Sequence, residues 1–79
     1  DANKFTTTGY LIVRLEKNSD LSKFEKYKLV FVKNISKELN SYKVQNLSTL
    51  DDVELCAELM NEKRVIWAKP MFKSKKRLQ

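Results

Sequence analysis

Residues 6–18, TTTGYLIVRLEKN, alternate in polarity, with Leu11, Val13 and Leu15 on one face and Tyr10, Ile12 and Arg14 on the other. A period of two predicts a half-buried strand. Asn18, Ser19 and Asp20 then supply a turn and a helix start. LSKFEKY spaces Leu21, Phe24 and Tyr27 along one stripe, which predicts a short helix. KLVFVKN, rich in the β-branched and aromatic residues that suit a pleated surface, predicts a second strand. The polar ISKELNS reads as a hairpin connection, and SYKVQNL alternates again as strand three.

STLDDVELCAELMNEK carries the clearest helical pattern. Ser48 or Thr49 is the expected cap, and Asp51, Asp52 and Glu54 put negative charge at the positive end of the helix dipole. Leu50, Val53, Cys56, Ala57 and Met60 form the expected apolar stripe, widened by Leu59. RVIWAKP is the fourth strand. Pro70 has no amide hydrogen, so it belongs at a strand end or on a sheet edge, and here it is expected to close the strand.

The order strand, helix, strand, strand, helix, strand predicts an α+β fold. Right-handed crossovers place both helices on one face of a four-stranded antiparallel sheet, in ferredoxin-like βαββαβ topology. The expected organisation is a flexible segment over residues 1–9, the domain over 10–72, and an extended basic tail over 73–79. The other sheet face, with Tyr10, Ile12 and Trp67, stays bare, and a bare apolar face awaits a partner.

At 79 residues the chain is one small domain. Such a domain buries roughly 60% of the surface its unfolded chain exposes, and its core supplies a net stability of only about 3–5 kcal/mol. Cys56 is the only cysteine, so no internal disulfide can brace it. The net charge of +6 suits an acidic partner of several kinds. The cations are spread out, except for the cluster Lys73, Lys75, Lys76 and Arg77, which reads as a solvated tail or a binding segment. No apolar run reaches the ~18 residues of a membrane span. The opening DANKFTTT reads as a mature or trimmed end without a signal peptide.

Little catalytic chemistry is on offer. The chain has no histidine, the commonest general base. Cys56 on the inner side of a helix reads as a core thiol, and no Cys/His cluster offers a metal site. A single glycine, Gly9, rules out a phosphate-cradling loop. No cofactor or small-molecule substrate is expected. RNA-recognition domains of this topology stack bases on aromatics in a glycine-containing third strand; SYKVQNL has no glycine and one aromatic, so RNA binding is the lesser reading.

VIWAKP, residues 65–70, resembles the Val-x-aromatic-Ala-x-Pro ending of the propeptides of subtilisin-like serine proteases. YLIVRLE is similar to their first strand, KLVFVKN and SYKV to their central hairpin, and LDDVELCAELMNEKRVIWAKP to their second helix running into the last strand. The resemblance covers Tyr10 to Phe72. It implies a propeptide made as part of a secreted or exported precursor, which helps a catalytic domain fold and then inhibits it. It implies that the sheet face with Tyr10 and Ile12 packs on that domain, with Trp67 either in the core or at the interface. Lys69, Pro70, Met71 and Phe72 would then lead the chain out, and Lys75, Lys76, Arg77, Leu78 and Gln79 would lie in the substrate cleft. Gln79 would sit next to the protease nucleophile, unless KKR is itself a processing site. Two positions depart from the pattern: Lys69 stands where an acidic residue is common, and Met71 where a polar one is. The alternative is a basic RNA-binding or protein-interaction domain of the same topology.

Overall fold

The computed structural model describes residues 6–73. Four strands, β1 (Thr6–Leu15), β2 (Leu29–Ser36), β3 (Ser41–Asn46) and β4 (Val65–Lys73), form one sheet in the order β2-β3-β1-β4. Every neighbouring pair is antiparallel. A 3-10 helix, Leu21–Tyr27, joins β1 to β2, and α1, Asp52–Met60, joins β3 to β4. The protein is thus α+β, with a four-stranded antiparallel sheet and two helices.

Alternation along β1 sets the core. Leu11, Val13 and Leu15 are fully buried, and their partners across the ladders continue that side: Val44 opposite Leu11, Ala68 opposite Val13 and Val65 opposite Leu15. Phe24 from the 3-10 helix and Leu55, Cys56 and Leu59 from α1 complete a single cluster. The backbone of this first helix kinks at Phe24 (φ −119°, ψ 24°), the residue it buries in the core. Asp20 caps it by accepting from the Ser22 amide at 3.0 Å, and Lys28 ends it in the left-handed region at φ 58°.

The apolar stripe of α1 differs from expectation. Asp52, Leu55, Cys56 and Leu59 face inward, while Leu50, Val53, Ala57 and Met60 are exposed. Ser48 is not the cap: its hydroxyl donates to Asn46 Oδ1 and accepts from the Leu50 amide at 3.2 Å, ahead of the helix. Asp51 takes the role instead, accepting from the Glu54 amide at 2.8 Å. Asp52 then points inward and fixes the phase, accepting from the Gly9 amide at 2.7 Å and from Asn46 Nδ2 at 2.8 Å.

Both ends of the domain core extend further than expected. β1 begins at Thr6, and β4 runs through Pro70 to Lys73, pairing Thr7 with Phe72 and Thr6 with Lys73. Pro70 therefore does not close the strand. β4 is an edge, and the Ala68 amide turns away from β1 to the Met60 sulfur at 3.2 Å. Two residues on, the nitrogen of Pro70 lies on that same outward side, so its missing hydrogen costs no ladder bond.

Candidate functional site

The sheet face opposite the helices is built in cross-strand rows. In the central row Lys33 on β2 pairs with Lys43 on β3, Lys43 with Ile12 on β1, and Ile12 with Lys69 on β4. On one side of it Val30, Gln45 and Tyr10 follow one another across β2, β3 and β1. On the other, Arg14 stands between Ser41 and Trp67. Tyr10, Ile12, Arg14, Lys43 and Trp67 are half-buried, and Lys33 and Lys69 are exposed. Trp67 thus lies outside the core cluster, on the bare side.

A bulge aims Tyr10 onto this face. Between the pairs Thr7–Phe72 and Leu11–Pro70, β1 has more residues than β4. The excess is absorbed at Gly9, whose φ of 85° suits a residue without a Cβ. Asp52 holds the Gly9 amide, and the Thr8 hydroxyl donates to the Met71 carbonyl at 3.0 Å. A lone glycine before an alternating run was the sequence signal for this bulge.

Two lysines lie over the two large aromatics. Lys43 Nζ is 4.8 Å from the Tyr10 ring centroid, and Lys69 Nζ is 4.9 Å from that of Trp67. At exposed sites each contact contributes about 0.5–1 kcal/mol. Arg14 differs: its Nε is buried and has no hydrogen-bond partner. None of the four strands contains an aspartate or glutamate; the described carboxylates stand on the helices, their flanks and the turns. Charge is therefore sorted by layer, with the bare sheet face purely cationic.

Of the residues singled out from the sequence, Tyr10, Ile12, Trp67 and Lys69 come together here, and strand alternation puts Met71 on the same side. Pro70 and Phe72 alternate to the other side; Pro70 pairs with Leu11, and Phe72, opposite Thr7, lies past the core. These two are not part of the face. Lys75, Lys76, Arg77, Leu78 and Gln79 lie outside the described residues. Arg14 and Lys43 belong to the site and were missed, although their places in alternating strands mark them as neighbours of Tyr10 and Ile12.

Elsewhere, an open cleft of about 610 Å³ between the two turns is lined by Lys17, Asn18, Ser19, Lys37, Glu38 and Asn40. The Asn40 amide there is already spent on the Glu16 and Ser19 carbonyls. Burial, with Asp52 nearby, pushes the Cys56 thiol up to about 11, so it stays protonated at neutral pH. Among the described residues, no group of three His, Cys, Asp or Glu is placed to hold a metal ion, and no helix is long and apolar enough to cross a membrane. Compared with protein-family models, curated proteins and solved structures, the chain matches none.

Proposed function

We propose that this chain is the propeptide of a subtilisin-like serine protease, a folding chaperone and temporary inhibitor of the catalytic domain. The strand order β2-β3-β1-β4, with a helical crossover between β1 and β2 and another between β3 and β4, is read as ferredoxin-like. The observation that carries the reading is the continuity between the bare face and β4. Trp67 and Lys69 contribute to that face, and the same edge strand leads into the basic segment that follows Lys73.

The resemblance of VIWAKP to the family ending has a physical basis in this strand. Val65 and Ala68 are both buried. Two residues three apart share a face because a register shift lies between the Arg14 and Leu15 pairings. The aromatic Trp67 is left facing outward between them. Pro70 then stiffens the chain as it leaves the core.

Such a module acts by linkage. Binding the folded enzyme but not its unfolded chain stabilises the enzyme by RT ln(1 + [L]/Kd), about 2.7 kcal/mol at a hundredfold excess over Kd. Attachment in one precursor raises the effective concentration toward the mM range. The segment beyond Lys73 would add to the enzyme's cleft as an extended strand, held by main-chain hydrogen bonds. A small core then permits removal, since a marginal domain opens readily to proteolysis once released.

The test is titration of the full chain into a mature subtilisin-like protease. The expected result is loss of peptidase activity at micromolar chain; undiminished activity overturns the reading. An RNA-binding role would show instead as polyanion retention with a steep salt dependence.

A further inference from the structure

From the cationic rows of the bare sheet face, we infer that its partner presents an acidic protein surface, with carboxylates meeting Lys33, Lys43 and Lys69 around Ile12. The inference rests on the reading of that face as the contact with a protease catalytic domain, and names the chemistry the domain must offer there.

Two observations carry it. Lys33 and Lys43 are direct cross-strand partners, and like charges in that position destabilise a sheet. No carboxylate of the described residues pairs with Arg14, Lys33, Lys43 or Lys69. A repulsive arrangement that the free domain leaves uncompensated is explained if a partner compensates it. The second is the placement of the lysines. Lys43 and Lys69 stand two strands apart, roughly 10 Å, with the Ile12 side chain between them. Apolar contact at Ile12 ringed by ion pairs has the anatomy of a protein interface, an apolar centre with a charged rim.

The same face argues against a nucleic acid. Single-stranded nucleic acid is held largely by bases stacked on aromatic rings. Here the Tyr10 and Trp67 rings carry the Lys43 and Lys69 ammonium groups. A base could stack only by displacing them.

The decisive variant is Lys33→Glu in the full chain. It turns the repulsive pair with Lys43 into an attractive one and leaves both lysine–aromatic contacts in place. The melting temperature is expected to rise by about 2–5 °C, while inhibition of a mature subtilisin-like protease weakens by about fivefold to tenfold. Lys33→Arg should restore inhibition to within about twofold of the parent. A more stable variant that binds less well marks a residue kept for its partner. If the parent inhibits and Lys33→Glu inhibits equally, the inference is overturned while the protease reading stands.

If the parent inhibits no such protease, that reading fails, and the inference is decided with two probes. A glutamate–leucine peptide should shift the backbone amides of Ile12, Lys43 and Lys69 in nuclear magnetic resonance spectra. Silence at all three overturns it. So does quenching of the single tryptophan, Trp67, by poly(U) RNA under conditions where the peptide does not bind, since that outcome assigns the face to nucleic acid.

Discussion

The Asp52 carboxylate accepts the Gly9 amide at 2.7 Å, joining the first turn of α1 to a bulge in the central strand. The two residues lie 43 positions apart, and Asp52 also receives Asn46 Nδ2 from the end of β3. One side chain therefore sets both the phase of the helix and the entry of β1 into the sheet. Replacing it, Asp52→Ala, strands two donors in a largely buried place. Each stranded donor costs about 1–3 kcal/mol, so a loss of at least about 2 kcal/mol is expected in urea unfolding. Native-state hydrogen exchange should show the Gly9 amide losing its protection.

Gly9 itself can be tested separately. A Cβ at this position meets nothing within 4 Å, so only the backbone resists substitution. At φ 85° an L-residue is strained, and Gly9→Ala should cost about 1–2 kcal/mol with no change in core packing. A β-branched Gly9→Val should cost more. Equilibrium denaturation of the two variants gives the order; equal stabilities would mean the bulge relaxes.

Alkaline pH should loosen the domain in a defined window. The Tyr27 hydroxyl is pushed up to about 12 by burial, then by its hydrogen bond to the Glu62 carboxylate. Its ordinary value is 10.0. A group raised in the fold favours the native state below its unfolded value, and that contribution disappears as pH climbs from about 10 to about 12. Cys56, raised to about 11 chiefly by burial, acts in the same sense at the lower part of the range. Tyr27→Phe should flatten the upper part of the decline in melting temperature with pH and leave the lower part.

Acid has a separate effect at the same contact. The Tyr27 hydrogen bond, followed by Lys26 at 3.4 Å, holds the Glu62 carboxyl below its usual range. A depressed carboxylate contributes stability above its unfolded value and loses it as pH falls through the folded one. Glu62→Gln should therefore reduce the acid sensitivity of the melting temperature. Because Lys26 is largely solvated and Glu62 partly so, the change will be small.

Under the proposed function, removing residues 74–79 should divide inhibition from folding. The described fold ends at Lys73, which pairs with Thr6. Thermal stability of the truncated chain should stay close to the parent, while inhibition of a subtilisin-like protease drops by about tenfold or more. Equal loss of both properties would contradict the separate roles assigned to sheet and tail.

The strands were legible because a period of two leaves few alternatives: Leu11, Val13 and Leu15 allow one inward face. The phase of α1 was not, since Leu50, Val53, Ala57 and Met60 satisfy helical spacing as well as Leu55, Cys56 and Leu59 do. Tertiary contact decided between them, through a buried aspartate that an apolar pattern does not register. The course of β4 past Pro70 depended on strand order, because proline is tolerated where the nitrogen faces outward from an edge. At the site, alternation put Tyr10, Ile12 and Arg14 together. The row from Lys33 through Lys43 and Ile12 to Lys69 required the pairing register, which no single strand encodes.

The position of β4 has a mechanical consequence. It is an outer strand, paired within the sheet with β1 alone, and it also supplies Val65 and Ala68 to the interior. Tension on the carboxyl end would unzip it pair by pair, from Lys73 at Thr6 back toward Val65 at Leu15. Once the opening reaches Ala68 and Val65 it draws a wall of the interior into water, so pulling far enough on the trailing segment dismantles the domain.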